Sequence, residues 1–511
     1  MAESNSGYDV YNPEGMLGRR TIYTDATEIT RDNLIKELTD ALYVHRQNRA
    51  EIQYLWNYYR GRQDILDKVK KIRPEICNKI ICNRANEIVS FKVGYLAGEP
   101  IQYVSRREDE SVMKNVNLIN DAMYILGKHT ADKNLIEWDM ICGTAYRFIA
   151  QEPIDDVPFR LYTLDPRNTF VVYSSNIKHE PMFSVSYYMK EGDVVQAPMV
   201  GVSTYQREVY EIYTKYHYFK VEDGNIVDAK EHYLGAIPVI EYPANTAKQG
   251  SFEIVLPLLN ALNAVYSDRL DSVDAFVQSF MKFVNCSVDE TDLTKIKEYG
   301  AIEIKSDNNL PADVELISDE MDQQQTQTLA DSIDMMITII CGLPNRSGGT
   351  GSTSDTGRAS ELRDGWVTAE VKAKESENSF TEAETKALRV IFNICKNNHY
   401  CDLAVKDIKL QFTRRNYDNI QSKSQVLIAM LQNNKVHPKL AFTSSGLFTD
   451  PEAAYAMSMK YWKEYQEKEL EQMSIQAKTP NDTEQGSSQN AKQKSNPISN
   501  PILKSASETD H

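Results

Sequence analysis

The sequence predicts an α+β protein, and three observations lead there. Apolar residues recur at three- and four-residue steps over much of the first 143 positions. A stretch rich in Tyr, Val and Phe, punctuated by turn signals, runs from Ala145 to about Tyr242. A second series of long helical patterns follows it. A chain of 511 residues can build several cores or one elongated subunit of many parts.

The elements read in order as follows. Residues 1–29 are predicted to be disordered. A helix runs from Arg31 to about Tyr59, with Leu34, Leu38, Leu42 and Val44 inward. Ile52, Leu55, Trp56 and Tyr59 share one face further on, which reads as core packing, and Gly61 ends the helix. In "NKIICNRANEIVSFKVGYLAGEPIQYV" (78–104), Ile80, Ile81, Ala85, Ile88, Val89 and Val93 predict a second helix. "GEP" breaks it, and "IQYV" is a short strand. Residues 111–143 are patterned as helix again. The β region comes next, antiparallel, with turns at Asp165-Pro166 and Asp223-Gly224. Its tyrosines could form a base-stacking platform, but Tyr is a strong strand former and the stretch is not basic, so a sheet surface is the better reading.

Ser251 to Phe283 reads as one long helix. Ile254, Leu258, Leu262, Val265, Leu270, Val273, Phe276, Val277 and Phe280 recur at helical steps, and Pro257 marks a start or a kink. From Pro257 to Phe283 it would reach ~40 Å. Residues 284–319 read as a compact α/β insert: "KFVNCSV" leads in, "DETDLTKIKEYG" is a helix, and "AIEIKS" and "DVELIS" are strands. A second helix runs from about Glu320 to Cys341, with Leu329, Ile333, Met336, Ile337 and Ile340 on one side. Gly342 and Pro344 stop it. A third helix spans about Ala359 to Asn397. Its middle is so polar that it should bridge solvent or pack against neighbouring copies. "DIKLQFTR" (407–414) is a strand, and 419–434 and 449–473 are helices, the last opened by Asp450 as N-cap and Pro451. Beyond Ser474 the composition predicts a disordered tail. There is no internal repeat.

Composition narrows the function. The chain is 41% hydrophobic and 25% charged, ordinary for a soluble protein, and its formal net charge is -16. A uniformly sticky DNA-binding surface is disfavoured, because affinity for phosphate backbones comes from clustered Lys and Arg; DNA as a passing substrate is not excluded. Seven cysteines, Cys77, Cys82, Cys142, Cys286, Cys341, Cys395 and Cys401, contain no Cys-x-x-Cys and read as free buried thiols in a reducing cytosol. Cys395 and Cys401 near His399 are poorly spaced for zinc, so no metal and no cofactor is expected. The polar start carries no signal peptide. "MMITIICGL" (335–343) falls far short of the ~20 residues that span a bilayer, so no membrane is expected either.

The densest Gly, Ser and Thr cluster is "GLPNRSGGTGSTSDTGRASELRDGW" (342–366). A nucleotide-binding or hydrolytic enzyme would use it as a phosphate loop, which needs G-x-x-x-x-G-K-[ST] after a strand. Gly351 and Gly357 are one residue too far apart, Arg358 is followed by Ala359, and a helix comes before. There is no H-E-x-x-H, no G-x-S-x-G and no dinucleotide fingerprint. His179-Glu180, Asp155-Asp156 and Asp319-Glu320 are better explained as solvated turns or helix starts. The expectation is a structural or mechanical protein and not an enzyme; a helical scaffold or adaptor without a channel is the other non-enzymatic alternative.

The order of parts resembles the bacteriophage portal proteins, specifically the Gp6-like family of tailed phages of Gram-positive bacteria. "YYRGRQDIL" (58–66) followed by "NKIICNRANEIVSFKVGYLAGEPIQY" (78–103) resembles the N-terminal signature of that family. "LDPRNTFVVY" (164–173), "AIPVIEY" (236–242) and "FTRRNYDNIQSKSQVLIAML" (412–431) are similar to later segments. The resemblance covers about residues 30–473. It implies a portal fold: an α/β wing over 30–250, stem helices at 251–283 and 320–342, a clip at 284–319 between them, a tunnel loop at 343–357, a long wing helix and strand over 358–418, and a helical crown at 419–473. It further implies a homo-oligomeric ring, twelve subunits in this family, at one capsid vertex of the virion, assembled in the host cytoplasm. Double-stranded DNA would pass through the ring during packaging and ejection. A terminase motor, a head–tail adaptor, scaffold and major capsid proteins would be its partners. The tunnel loop here is richer in Gly and Ser than is usual for the family.

Physical reasoning fits that expectation. Helical hairpins side by side in a closed ring bury their apolar stripes against neighbours and line a hole, which would account for Leu258, Leu262, Val265, Val273, Phe276, Phe280, Leu329, Ile333 and Ile337 lacking an obvious intrachain core. A conduit must not grip its cargo, since every neutralised phosphate adds affinity. The DNA-facing loop candidates are Asn345, Arg346, Ser347, Gly348, Gly349, Thr350, Gly351, Ser352, Thr353, Ser354, Asp355 and Arg358. They offer weak, interchangeable contacts on a backbone that Gly leaves free. The residues fit equally a linker that touches nothing.

Overall fold

The computed structural model describes residues 18–71, 74–107, 109–197, 201–277, 280–284, 313–317, 323–344, 365–413, 420–433, 435–448 and 451–476. They fall into two compact units divided after Ile420. The fold is mixed α and β, as the patterning predicts.

The first unit opens with a short strand, β1 (Ile22–Thr24), and a long helix, α1 (Leu34–Tyr59). Residues 18–29 are therefore not the disordered lead expected. β1 pairs in parallel with β5 (Thr169–Ser174), and the buried Arg19 guanidinium meets Glu253 at 2.7 Å and Glu51 at 3.1 Å. Three strand residues are too few to show a period, so only the tertiary pairing reveals them. α1 serves two cores. Leu34, Leu38, Ala41 and Leu42 pack on a six-stranded sheet, while Ile52, Leu55 and Tyr58 enter the main core. Gly61 ends the helix at φ +95°, a left-handed cap that glycine adopts without strain.

The next helix is α2 (Arg84–Ala97), followed by β2 (Gln102–Ser105). It starts later than its apolar pattern implied, because residues 78–83 form neither helix nor strand. The 111–143 helix is in fact two, α3 (Glu110–Ile125) and α4 (Lys128–Cys142), broken where Gly127 turns left-handed at φ +64°.

The β region holds β3 (Thr144–Ala150), β4 (Arg160–Leu164), β5, β6 (Pro181–Ala197), β7 (Gly201–Tyr213), β8 (His217–Glu222), β9 (Asn225–Glu231) and β10 (Val239–Pro243). One sheet runs β1-β5-β6-β7-β8-β9 and a second β10-β3-β4. Asp223 and Gly224 both have positive φ, 49° and 73°, which is what a two-residue hairpin between β8 and β9 requires.

Then come α5 (Leu256–Val277), β11 (Phe280–Val284), β12 (Asp313–Ile317), α6 (Gln323–Cys341), α7 (Trp366–Asn397) and β13 (Ile408–Gln411). β11 and β12 form an antiparallel pair, and β13 pairs with β2. The expected helix over 251–283 is thus shorter, ~33 Å over its 22 residues at 1.5 Å each. Phe280 belongs to β11 instead, in a run of β-forming residues, "FMKFV", that takes up strand pairing. The expected inserted helix 289–300 and strand 301–306 lie outside the described residues, as do Asp319, Glu320, Asp450 and the predicted tail from Ala477 onward.

The second unit contains α8 (Ile420–Leu431), which starts at the boundary, α9 (Pro438–Ser445) and α10 (Pro451–Gln476). Sequence patterning misses α9, which is only eight residues long. Pro438 at its first position and His437 Nδ1 accepting from the Lys439 N–H open it. Phe442 packs against Tyr455 of α10 with ring centroids 5.9 Å apart.

Candidate functional site

α5 and α6 pair with each other and run antiparallel. Arg269, late in α5, donates to Gln323 at the start of α6 at 2.6 Å. The Cys341 thiol at the end of α6 reaches the Ser251 carbonyl, just before α5, at 3.8 Å. The β11–β12 pair closes the other end. The two helices thus form a hairpin that carries a small β element at its tip.

The expected packing stripe splits in two. Leu262, Ile333 and Ile337 are buried in the main core with Leu256, Leu259 and Ala330, and Leu258 and Val265 are half-buried against it. These five do have an intrachain core, contrary to the sequence expectation. A stripe read from one sequence carries no information on which distant segments cover it. Val273 and Leu329 are exposed, and Phe276 lies in the last turn of α5. α6 is apolar around most of its C-terminal half. Ile333 and Ile337 face in, whereas Met336 and Ile340, expected on the same side, face out together with Met335 and Ile339. Ile337 is 0% exposed and Ile339 66%, two residues apart on opposite faces of one helix.

The opposite side of α5 is a polar ladder that sequence patterning overlooks. Asn263 Oδ1 accepts from the Cys82 N–H at 2.8 Å, Ser267 Oγ from the Ile80 N–H at 2.9 Å, and Asp271 Oδ1 from the Asn78 N–H at 2.6 Å. Four helical residues advance about 6 Å and two residues of non-helical chain span up to about 6.6 Å, so the two repeats stay in step over three rungs. This is why residues 78–83 stay out of the helix: α5 supplies the hydrogen bonds that a helical turn would have supplied. Tyr58 donates to Asn260 at 2.8 Å and Lys68 meets Asp268 at 2.6 Å, further fixing α5 to the body. The signal was present as Asn260, Asn263, Ser267, Asp271 and Asp274 at helical steps.

A buried charge network holds the body that α5 docks on. Arg147 (β3) meets Glu384 (α7) at 2.8 Å and also Asp132 (α4); Lys128 (α4) meets Glu384 at 3.2 Å and also Asp132. Tyr103 (β2) and Tyr242 (β10) donate to Glu384 as well. Burial, the largest influence, pushes the Glu384 carboxyl up, but Lys128, Arg147 and the two hydroxyls outweigh it and hold it at about 2. Glu384 sits in the stretch expected to be solvent-bridging. From Phe380 to Cys395 α7 is instead largely core, while its first half buries little beyond Ala369 and Ala373. His45 (α1) stacks on Phe170 at 4.3 Å with Nε2 3.1 Å from the Arg167 carbonyl; burial keeps it neutral and lowers its pKa to about 4.

The loop candidates Asn345, Arg346, Ser347, Gly348, Gly349, Thr350, Gly351, Ser352, Thr353, Ser354, Asp355 and Arg358 all lie outside the described residues. Gly342, which caps α6 at φ +67°, and Gly365, which precedes α7 at φ +80°, bound that segment. His179 occupies a left-handed turn position with Nδ1 3.2 Å from the Ser174 carbonyl, and Asp155 and Asp156 sit at φ 46° and 68° in another turn. Cys395 and Cys401 are buried thiols that adjoin each other at the end of α7. Among the described residues no group of three His, Cys, Asp or Glu could hold a metal, and no helix is long and apolar enough to cross a membrane.

The described elements define an α+β body bearing an antiparallel helix pair with a strand pair at its end. Over residues 40–476 the chain matches the family model described as phage portal protein, SPP1 Gp6-like, and it belongs to that family. The family is one of structural proteins, located in the virion capsid. No curated protein matches the chain.

Proposed function

We propose that this protein forms a closed ring, of twelve copies, at one capsid vertex of a tailed phage of a Gram-positive host, and that double-stranded DNA passes through its bore during packaging and ejection. In this reading residues 30–250 with 358–418 make the wing, α5 and α6 the stem, residues 284–319 the clip, 343–357 the tunnel loop and 419–473 the crown. The exposed apolar face of α6, with Leu329 and Val273, seals copy to copy. The family match carries the reading, because residues 40–476 take in nearly all of these stretches. A closed ring of identical contacts is the ordinary way to cover such a face on every copy.

The motor is a separate terminase, which docks on the clip. A head–tail adaptor takes its place later, and scaffold and major capsid proteins surround the wing and crown; assembly takes place in the host cytoplasm. A net charge of -16 keeps the duplex from being gripped along the bore. The loop around Arg346, Asp355 and Arg358 makes only transient contacts. The test is mass measurement and imaging of purified protein, alone and with Gly348–Asp355 shortened. Rings in both cases, with packaging lost in the shortened form, support the reading. Monomers or open filaments under all conditions refute the ring, and loss of assembly on shortening refutes the tunnel-loop placement.

A further inference from the structure

We propose that the cavity where α6 ends and α7 begins is a binding site for a small oxyanion of the phosphate class, held by Lys92, Lys372 and the hydroxyl of Ser251. The cavity encloses about 410 Å³ between α2, the turn at 244–251, the end of α6 and the first half of α7. That volume falls within the range of small-ligand sites.

Three observations converge on an anion. First, Lys92 is half-buried, and its ammonium makes no ion pair among the described residues. Burial lowers its pKa, the Cys341 thiol partly offsets this, and Lys372 lowers it further. The two ammonium groups therefore repel each other across one cavity, with no carboxylate paired to either among the described residues. Second, the carboxylates nearby are engaged or exposed to solvent. Glu370 accepts from Tyr95 at 2.8 Å and pairs with Lys374 at 3.7 Å, while Glu375 lines the cavity with an exposed side chain. Third, Ser251 is among the residues lining the cavity, and its Oγ is buried with no hydrogen-bond partner among the described residues. A buried hydroxyl left unpaired calls for a ligand. Two ammonium groups and a hydroxyl surround a multiply charged tetrahedral anion better than a single-charge ion such as chloride. Phosphoryl oxygens could come from free phosphate or from a nucleic-acid backbone or end.

Bound anion would tie α2, the 244–251 turn and α7 together near the end of α6. It would also raise the Lys92 pKa, so binding would take up a proton and weaken at alkaline pH.

The experiment is lysine footprinting on the full chain. A trace acylating reagent is applied at neutral pH in sodium chloride, in inorganic phosphate and with short duplex DNA, at matched ionic strength, and modified peptides are counted by mass spectrometry. Phosphate at ten times its Kd should slow labelling of Lys92 and Lys372 about tenfold relative to chloride. Protection by duplex alone would assign the phosphoryl source to nucleic acid. Lys372→Met and Ser251→Ala should each weaken the protection of Lys92. No protection by either probe, equal protection by chloride, or protection unchanged in both variants would overturn the site. None of these outcomes depends on ring formation, so the site and the channel reading fail separately.

Discussion

Around Glu384, Lys128, Asp132, Arg147 and Glu384 itself are buried, and each meets an opposite charge from elsewhere in the chain. Along the outer face of α6, Met335, Met336, Ile339 and Ile340 meet solvent, although the helix's inner face belongs to the main core. Buried charge is tolerated only when its partners are complete, and here the chain completes them alone. Exposed apolar surface is tolerated when something outside the chain covers it. On the proposed reading, one subunit separates what must be rigid by itself from what assembly completes.

The comparison breaks first at its buried end. Glu384→Gln leaves Arg147 and Lys128 short of a counter-charge and should cost roughly 3–5 kcal/mol in denaturant unfolding. A loss below 1 kcal/mol would mean that the network does not hold the body.

Ile337 and Ile339 sharpen it. Ile337→Ala opens a cavity in the main core and should destabilise the subunit by roughly 2–5 kcal/mol. Ile339→Ser should stay within about 0.5 kcal/mol of the parent in the isolated subunit, yet abolish or weaken the oligomer seen by native mass measurement. Equal effects of the two substitutions on subunit unfolding would erase the distinction between the faces.

Acid sharpens it further, because it titrates the buried network and leaves the apolar face of α6 untouched. His45 falls from 6.5 to about 4 on folding, and Glu384 from 4.5 to about 2. Both are depressed, so their contributions are complete above the unfolded values and are lost as pH falls, His45 between 6.5 and about 4 and Glu384 between 4.5 and about 2. Each is worth on the order of 3 kcal/mol at neutral pH. Asp139, whose burial raises its carboxyl, acts with the opposite sign. Unfolding followed against pH should show stability declining from about pH 6.5. His45→Gln should flatten the upper part of that decline; an unchanged profile would remove His45 from the account.

A smaller effect than at Glu384 or Ile337 is expected at the ladder. Asn263→Ala leaves the Cys82 N–H without its acceptor and should cost roughly 1–3 kcal/mol, with faster hydrogen exchange at residues 78–83. Unchanged exchange there would show that this segment does not depend on α5.

Local chemistry was legible in the sequence wherever it decides structure locally. The Asp223-Gly224 hairpin, the Gly61 and Gly342 caps and the α5 and α6 patterns all follow from backbone preference and periodicity. What was illegible depends on distant partners. Residues 78–83 carry a helical pattern, yet three side chains of α5 claim their N–H groups. Glu384 stands in a polar run that gives no hint of Lys128 or Arg147. The faces of α6 cannot be told apart from its sequence, since Ile337 and Ile339 are the same residue in different surroundings. Of the candidate site, the helix pair was readable, and the division of its stripe into an intrachain part and a bare part was not.

The most direct test is a high-resolution electron-microscopy structure of the purified, assembled protein. A closed ring with an axial hole, in which Met335, Met336, Ile339 and Ile340 of each copy pack against the next, is the expected result. A particle without a hole, or a ring in which that face of α6 remains in solvent, would contradict it.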